Sequence, residues 1–290
     1  FRSVMEWLDK LNKSIEYIED NLDGEINYEE AAKLACCSCY HYQRMFSYIA
    51  GVTLSEYIRN RRMTKAAIDL QNGEKVMDVS LKYGYESPTS FNRAFKKVHE
   101  VSPSMAQKKG TFLKSYSPIS FKLTIKGVEE MKYRIEKKEA FRVVGVQREL
   151  TNDFEENSIK VPQLWKESLE NGKLSEIMAL MDENNAGAPG VLGLNACNGE
   201  EKDWKYYIAV STDKPISKGM YEYTVPASTW AIFKGQGNMP QAIQDVEKRV
   251  LTEWLPTSGY EFDQCINIEV YLDDKKEDSN FEVWLSIKNK

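Results

Sequence analysis

The chain has 290 residues, of which 42% are hydrophobic and 29% are charged, and its formal net charge is −5. These values are ordinary for a folded globular protein, and the length allows two hydrophobic cores. They exclude a membrane-spanning protein and a disulfide scaffold, since no apolar run reaches bilayer length and the five cysteines show no paired spacing. Because the start has no signal-peptide pattern, we expect a cytoplasmic protein with reduced thiols and no membrane partner.

The charge is distributed unevenly along the chain. Residues 1–40 carry 4 basic and 9 acidic residues, residues 41–114 carry 13 and 6, and residues 115–290 carry 22 and 29. The middle segment therefore has a net charge of +7 inside an acidic protein. A basic segment of this kind favours contact with an anionic partner such as nucleic acid.

The first hundred residues have the periodicity of helices. Apolar residues recur at helical spacing before a stop at Gly24, at Val4, Leu8, Leu11, Ile15, Ile18 and Leu22. Thr53 can cap a long central helix that stops at Gly73, and Ser102-Pro103 starts a short last helix. This part of the chain is therefore predicted to be all-α.

One pattern occurs twice in this helical region, at residues 29–46 and 77–95. Each copy reads as a helix, a tight turn, a serine that can cap a second helix, and an aromatic-x-Arg-x-Phe run. A small residue, Ala32 or Ser80, precedes each turn by four positions, where crossing helices approach closely. The pattern predicts a tandem helix-turn-helix, whose second helices enter successive major grooves of double-stranded DNA.

From about Phe121 the pattern changes to alternating strands. Two strand-helix-strand-strand groups follow, and the second begins near Tyr221. We expect an α+β domain of two pseudo-symmetric β-α-β-β repeats, with helices on one side of an antiparallel sheet and a cleft between the halves. The predicted division is a DNA-binding domain at 1–112, a linker at 113–130 and a small-molecule-binding domain at 131–290.

Three motifs of the helical region occur together in one known family. They are Tyr40-His41-Tyr42-Gln43-Arg44-Met45-Phe46, Tyr57-Ile58-Arg59 with Met63, and Tyr83-Gly84-Tyr85-Glu86-Ser87 with Phe91-x-Arg93-x-Phe95-Lys96-Lys97. With them, residues 5–108 resemble the DNA-binding domain of the AraC family, of the Rob, MarA and SoxS type. The resemblance implies a transcription regulator and not an enzyme, here an activator that also contacts RNA polymerase.

The same resemblance implies which side chains meet DNA. The expected base-edge readers are Cys39, Tyr40, Gln43 and Arg44 in the first unit, and Thr89, Ser90, Asn92 and Arg93 in the second. Glutamine suits adenine and arginine suits guanine through paired hydrogen bonds. The expected phosphate contacts are Arg61, Arg62, Lys96 and Lys97. A surface salt bridge is the alternative role for Arg44 and Arg93.

The run Cys36-Cys37-x-Cys39-x-His41 also permits a metal or redox reading. Structural zinc sites pair such a run with a distant second pair of ligands, which this sequence lacks. Packing is therefore the better interpretation, and we expect no metal and no cofactor. Cys36 also stands where the turn of the AraC family usually has glycine.

The C-terminal region resembles the GyrI-like effector-binding domain over about residues 131–290. The resemblance rests on Val225-Pro226-Ala227, Glu253-Trp254-Leu255-Pro256, Ile268-Glu269-Val270-Tyr271 and Phe281-Glu282-Val283-Trp284-Leu285. It implies that a small-molecule effector binds there. It also assigns a role in the cleft to Glu269 and, one strand later, to Glu282.

The residues around Glu269 indicate what this effector would be. On an alternating strand, Glu269 and Tyr271 share one face. A carboxylate among aromatic rings is costly unless a cation joins it, which favours a lipophilic cation. The aromatic walls are expected from Trp165, Tyr207, Trp230, Tyr271 and Trp284, with core packing as the alternative role for each.

Two other functions stay open. The domain could be a small-molecule hydrolase, with Glu269 as base and Tyr271 as its orienting partner. It could instead sequester a drug or a protein beside a degraded DNA-binding domain, although the intact Gln43, Arg44 and Arg93 argue against degradation. A monomer would suffice for DNA binding, since the tandem units already span two grooves, and a dimer is also compatible with the sequence.

Overall fold

The computed structural model of the chain describes residues 2–121, 130–151, 153–182, 185–197, 204–275 and 277–289. The chain divides into two compact units, of which the first is Met5–Thr124 and the second contains Ile125–Lys290. The first is all-α and the second is α+β, as predicted. Within the described ranges, no helix combines the length and hydropathy that a bilayer crossing needs.

The helices of the first unit follow the predicted order. They are α1 (Arg2–Asp20), α2 (Tyr28–Leu34), α3 (Cys39–Ala50), α4 (Leu54–Gln71), α5 (Val76–Lys82), α6 (Pro88–His99) and α7 (Pro103–Ala106). Thr53 and Ser102 cap α4 and α7 through their side chains, and Ser38 and Ser87 cap α3 and α6. Each hydroxyl accepts a backbone N–H of the first helical turn, which fixes where these helices begin.

The two helix-turn-helix units, α2–α3 and α5–α6, make their turns in the same way. The N–H of Cys37 donates to the carbonyl of Ala32 at 3.1 Å, and the N–H of Tyr85 donates to that of Ser80 at 3.0 Å. The preceding residue is left-handed in both, with φ of 55° at Cys36 and 79° at Gly84. This bond across a left-handed residue is the Schellman ending of a helix. Cys36 therefore adopts the conformation for which the equivalent turn uses glycine.

Helix α4 contributes to both helix-turn-helix units. Its Met63 and Leu70 lie in one apolar cluster with Phe95 of α6. Near its start, the ring centroid of Tyr57 lies 5.5 Å from that of Phe46 in α3. Because one helix packs against both second helices, it holds α3 and α6 at a fixed separation.

The segment 113–121, predicted as part of a linker, is held on these helices. Its N–H groups donate to side chains of α6, α4 and α1: Lys114 to His99 Nδ1 (3.1 Å), Tyr116 to Thr64 Oγ1 (3.0 Å), Ile119 to Tyr57 OH (3.2 Å) and Phe121 to Asn12 Oδ1 (2.8 Å). These bonds make the segment part of the first unit. Residues 122–129 of the predicted linker lie outside the described residues.

The second unit contains an antiparallel sheet and helices. The strands are β1 (Tyr133–Lys138), β2 (Phe141–Glu149), β3 (Val191–Cys197), β4 (Trp204–Ser211), β5 (Tyr221–Val225), β6 (Ser228–Gly237), β7 (Tyr260–Tyr271) and β8 (Ser279–Asn289). The helices are α8 (Phe154–Glu170), α9 (Lys173–Ala179), α10 (Gln241–Arg249) with a π-helical turn (Val250–Trp254), and α11 (Leu255–Thr257).

The strand order shows the predicted internal symmetry. The order is β1-β6-β8-β7-β3-β4-β2-β5, which maps onto itself when β1 to β4 are exchanged for β5 to β8. The repeats are β2-α8-α9-β3-β4 and β6-α10-β7-β8, and the strand before each repeat pairs with the other repeat. Helices α8 and α9 pack on the first repeat and α10 on the second. The central pair β3–β7 lies between them, where the predicted cleft falls.

Cross-strand pairing divides the side chains of the sheet between two faces. The helix face carries Glu269, Phe233 and Tyr206, and it meets Trp165 of α8 and Trp254 of the π-helical turn. The opposite face carries one continuous apolar cluster that includes Leu194, Tyr207, Trp230, Ile232, Ile268 and Trp284. Because side chains alternate between the two faces along a strand, only residues on the helix face can lie beside Glu269.

The left-handed conformation of Cys36 makes a prediction about stability. A non-glycine residue in this conformation costs about 1–2 kcal/mol, and glycine loses about 0.5–1 kcal/mol more chain entropy on folding. Cys36→Gly should therefore raise the free energy of unfolding by about 0.5–1 kcal/mol. Urea denaturation followed by helical circular dichroism measures this change.

The matched control is Gly84→Ala in the second turn. An added Cβ there would be strained at φ 79° and would lie 3.4 Å from Arg62 Nη1. This variant should therefore lose stability. Equal urea midpoints for the wild type and both variants would show that the two turns carry no such strain.

Candidate functional site

Helix α6 presents an exposed polar and basic face. Phe91 and Phe95 are fully buried in the core of the second helix-turn-helix. The predicted contact residues lie elsewhere on the helix, where Asn92 is half-buried and the exposed ones are Thr89, Ser90, Arg93, Lys96 and Lys97. A recognition helix needs an exposed polar face of this kind to contact base edges in the major groove.

Helix α3 holds its predicted base readers in contacts along its own length. Arg44 donates through Nε to the hydroxyl of Tyr48 (3.1 Å) and through Nη1 to that of Tyr40 (3.3 Å). Gln43 Nε2 donates to the sulfur of Cys39 at 3.3 Å. The side chains of Gln43 and Arg44 are buried, at 4% and 7% exposure. Base contact by either residue therefore requires that side chain to become exposed.

Arg61, predicted to meet phosphate, lies in a buried network instead. Its Nε and Nη2 donate to the two carboxylate oxygens of Glu19 at 2.8 and 2.7 Å, and its Nη1 donates to the carbonyl of Tyr116. The hydroxyl of Tyr57 also donates to Glu19, at 2.7 Å. Burial acts to raise the pKa of Glu19, but the hydrogen bonds and charge of Arg61 hold that pKa below its ordinary value. Arg61 therefore ties α4 to α1 and to the segment 113–121.

Arg62 also has a structural position. Its Nε donates to the carbonyl of Leu22 at 2.9 Å, and its Nη2 donates to that of Gly24 at 2.6 Å. These carbonyls lie beyond the last residue of α1, so the guanidinium holds the turn that follows that helix. The sequence pattern could not separate these two arginines from Lys96 and Lys97, because both pairs are adjacent basic residues within a helix.

The cysteine run lies in the turn between α2 and α3 and in the first turn of α3. Cys36, Cys37 and Cys39 are not in disulfide bonds. Across the described part of the chain, no three His, Cys, Asp or Glu side chains are placed to hold a metal ion. Cys39 is instead packed at 1% exposure in the first turn of α3.

In the second unit, a carboxylate and three aromatic residues meet on the helix face. The hydroxyls of Tyr271 and Tyr206 both donate to Glu269 Oε2, at 2.9 and 3.3 Å. Trp165 Nε1 donates to the hydroxyl of Tyr206 at 2.9 Å, and its ring meets that of Tyr271 edge-on with centroids 5.0 Å apart. We call Glu269, Tyr206, Tyr271 and Trp165 the carboxylate site. It fixes a negative charge among aromatic rings.

Gly193 makes this arrangement possible. It pairs directly with Glu269 across β3 and β7. A Cβ at this position would lie 2.3 Å from the hydroxyl of Tyr206 and 2.8 Å from Glu269 Oε2. Neither Gly193 nor Tyr206 was predicted, because the register of β3 against its neighbours is not visible in the sequence.

The other predicted effector residues lie on the opposite face of the sheet. Tyr207, Trp230 and Trp284 belong to its apolar cluster. Glu282 pairs with Val270, so it also points away from Glu269. Of the seven predicted residues, the structure therefore brings only Glu269, Tyr271 and Trp165 together.

Glu282 already has cationic and polar partners within the second unit. Arg134 donates to its two oxygens at 2.7 and 3.2 Å, and Trp284 Nε1 donates to it at 2.8 Å. Lys138 Nζ lies 5.3 Å from the centre of the Trp284 ring. On this face, the Glu282 carboxylate and the Trp284 ring thus already have cations of the protein itself as partners.

Comparison with known proteins gives a family match for each unit. A family model described as "Helix-turn-helix domain" matches residues 31–109, and one described as "Integron-associated effector binding protein" matches residues 134–287, more than half of the chain. SoxS of Salmonella typhimurium is 36% identical over 91 residues, which are 31% of this chain and 85% of SoxS. The chain belongs to the AraC-type helix-turn-helix family. Its second unit belongs to the integron-associated effector-binding family.

Two further relatives match the AraC-type unit. TetD of transposon Tn10 from Escherichia coli is 42% identical over 89 residues, and the match spans 30% of this chain and 64% of TetD. The transcriptional activator AarP of Providencia stuartii is 36% identical over 96 residues, which are 33% of this chain and 71% of AarP. The chain thus spans less than two thirds of the length of TetD.

Solved structures resemble the second unit of this AraC-type chain. SAV2435 bound to tetraphenylphosphonium gives a TM-score of 0.49 at 20% identity and covers 55% of this chain and 94% of its own. The integron cassette protein VCH_CASS2 of Vibrio cholerae gives 0.40 at 18% identity, with coverages of 54% and 95%.

The Glu19–Arg61 pair predicts a pH dependence of stability. Because the pKa of Glu19 lies below its ordinary value of 4.5, its stabilising effect is complete above about pH 4.5 and is lost as the pH falls through the folded-state pKa. Glu19→Gln should therefore cost about 3 kcal/mol near pH 7, and this cost should shrink in acid. Urea midpoints of the wild type and the variant at several pH values measure the difference.

Glu16→Gln is the matched control for this experiment, since Glu16 is an exposed carboxylate of the same helix. It should change the urea midpoint little at any pH. A Glu19→Gln deficit that stayed constant down to about pH 3 would contradict the stabilising role of the ionised pair.

Proposed function

We propose that the protein is a one-component transcription activator that binds operator DNA through α3 and α6 and a lipophilic cation through its second unit. The carboxylate site carries the proposal, because it fixes the charge of Glu269 among the rings of Trp165, Tyr206 and Tyr271. The same chain carries an AraC-type DNA-binding unit. A regulator of this kind acts in the cytoplasm and has RNA polymerase as a protein partner.

The exposed face of α6 supports the DNA-binding half of this proposal. Arg93 can pair with guanine through two donors, while Lys96 and Lys97 suit phosphate oxygens. Gln43 and Arg44 of α3 would read bases once their side chains leave the contacts with Cys39, Tyr40 and Tyr48. The description of AarP as a transcriptional activator supports activation as the direction of control.

The carboxylate site supports a cationic effector for two physical reasons. A carboxylate attracts a cation more strongly where rings exclude water, and each ring face adds about 0.5–2 kcal/mol of cation–π attraction. The two tyrosine hydroxyls hold Glu269 in one orientation, so a ligand need not order it. A bound effector would act on transcription through its different affinities for two states of the protein.

Hydrolysis is a second candidate function, favoured by the 2.9 Å bond between the Tyr271 hydroxyl and Glu269. This pair could activate a water molecule for attack on a reactive small molecule. Product formation from such a compound that disappears in Glu269→Gln would support an enzyme. Stoichiometric binding without product supports the sensor.

The proposed phosphate contacts predict the salt dependence of DNA binding. Lys96→Ala and Lys97→Ala should each weaken binding to duplex DNA and lower the slope of log affinity against log salt by about 1. Fluorescence anisotropy of the full chain with a labelled duplex measures this slope. Lys166→Ala is the matched control, since Lys166 is an exposed lysine of α8 in the second unit. An equal slope for all four proteins would exclude α6 as the DNA contact.

The charge of Glu269 predicts ligand preference. Glu269→Gln keeps the shape and an acceptor for both tyrosines but removes the charge, so it should lose at least about tenfold in affinity for tetraphenylphosphonium. Its affinity for neutral triphenylphosphine oxide should stay unchanged. Isothermal titration calorimetry measures both constants. Glu261→Gln, on the same strand, serves as the charge-matched control, and an equal loss there would show a general effect of net charge.

A further inference from the structure

Two buried asparagines lie beside the carboxylate site on the same face of the sheet. Asn195 of β3 pairs directly with Asn267 of β7, one alternation away from the Gly193–Glu269 pair. Their side chains are 1% and 4% exposed. Among the described residues, neither side-chain oxygen has a hydrogen-bond partner, although both oxygens are buried. Within the described part of the chain, two buried amide oxygens without a hydrogen-bond partner therefore lie one alternation from the Gly193–Glu269 pair.

Two buried amide oxygens without donors lower the stability of the fold, so stability by itself does not explain them. A buried carbonyl oxygen without a donor loses its hydration and gains nothing in exchange, whereas an apolar side chain of similar size would have no such loss. Nearly all buried polar groups in folded proteins are satisfied, so each exception calls for a partner of its own. Two exceptions facing each other across one strand pair indicate a shared partner.

The position of the pair relates it to the carboxylate site. Residues two apart on a strand are about 7 Å apart and point the same way, which sets the distance from Asn195 to Gly193 and from Asn267 to Glu269. Asn195 also pairs with Tyr206 across β3 and β4. Because Gly193 has no side chain, the space beside it holds the Tyr206 hydroxyl and Glu269 Oε2. The acceptors therefore continue the polar surface of the site along the central strands.

We propose that Asn195 and Asn267 form a second subsite that accepts hydrogen bonds from N–H groups of the effector. The inference rests on the proposed function of Glu269 and narrows the class of cation that the site binds. The effector is a lipophilic cation that carries N–H donors within about 7 Å of its contact with Glu269, such as a protonated amine, an amidine or a guanidine. A quaternary cation meets the carboxylate and the rings but leaves both amide oxygens unsatisfied.

Two acridinium ions of similar size test this inference. Both carry one positive charge on the same ring system, but 9-aminoacridinium has N–H donors and 10-methylacridinium has none. Calorimetry of the full chain with each ion should show tighter binding of 9-aminoacridinium. Asn195→Leu and Asn267→Leu should each weaken 9-aminoacridinium by about tenfold, the effect of one hydrogen bond, and change 10-methylacridinium by less than about twofold.

A measurement without ligand gives an independent readout. If the amides are unsatisfied in the free protein, the leucine variants should melt at a higher temperature than the wild type. If leucine overpacks the sheet, Asn195→Ala and Asn267→Ala serve as a second set of variants. They should show the same selective loss of 9-aminoacridinium binding.

The possible failures can be told apart. Equal weakening of both ions by the asparagine variants would show a packing role, and unchanged binding of both, with lower melting temperatures, would show that the amides are satisfied internally. Either result overturns the subsite while Glu269→Gln still weakens both ions. If the wild type bound neither ion, or Glu269→Gln changed neither affinity, the proposed function would fail and the subsite with it.

Discussion

The carboxylate site depends on the register in which β3 pairs with β7. This register sets Gly193 opposite Glu269, and only a residue without a side chain lets the Tyr206 hydroxyl reach the carboxylate. A shift of one residue would turn Glu269 to the other face, because side chains alternate along a strand. The two repeats meet at this strand pair, so the site is formed where the internal symmetry of the domain places it.

The two faces of the sheet show two outcomes for a carboxylate near aromatic rings. Glu282 accepts hydrogen bonds from Arg134 and from the indole N–H of Trp284, so its carboxylate links β1 to β8 within the sheet. Glu269 is oriented by tyrosine hydroxyls beside the indole of Trp165, which suits recognition of a ligand. The same residue types thus take different roles, and the identity of the nearest donors decides between them.

The arginines of the DNA-binding unit divide in a similar way. Arg61 is bound to Glu19, where removing either partner would leave a buried charge. Arg93 is exposed on α6. Both lie at helical positions in a basic segment, and only the carboxylate from α1 distinguishes the structural arginine from the exposed one. The two second helices also differ, since α6 shows its polar face while Gln43 and Arg44 of α3 are buried.

Elements with local signals could be predicted from the amino-acid sequence: the caps at Thr53 and Ser87, the doubled helix-turn-helix and the two β-α-β-β repeats. Of the effector residues that it predicted, Glu269, Tyr271 and Trp165 lie together on one face. Which side chains meet could be seen only in the folded chain, because strand register and the partners of Arg61 depend on residues far apart in the sequence. For that reason Tyr206, Gly193 and the Asn195–Asn267 pair had no signal in the sequence. Trp230 and Trp284 were predicted as aromatic walls of the site, but they lie on the other face of the sheet.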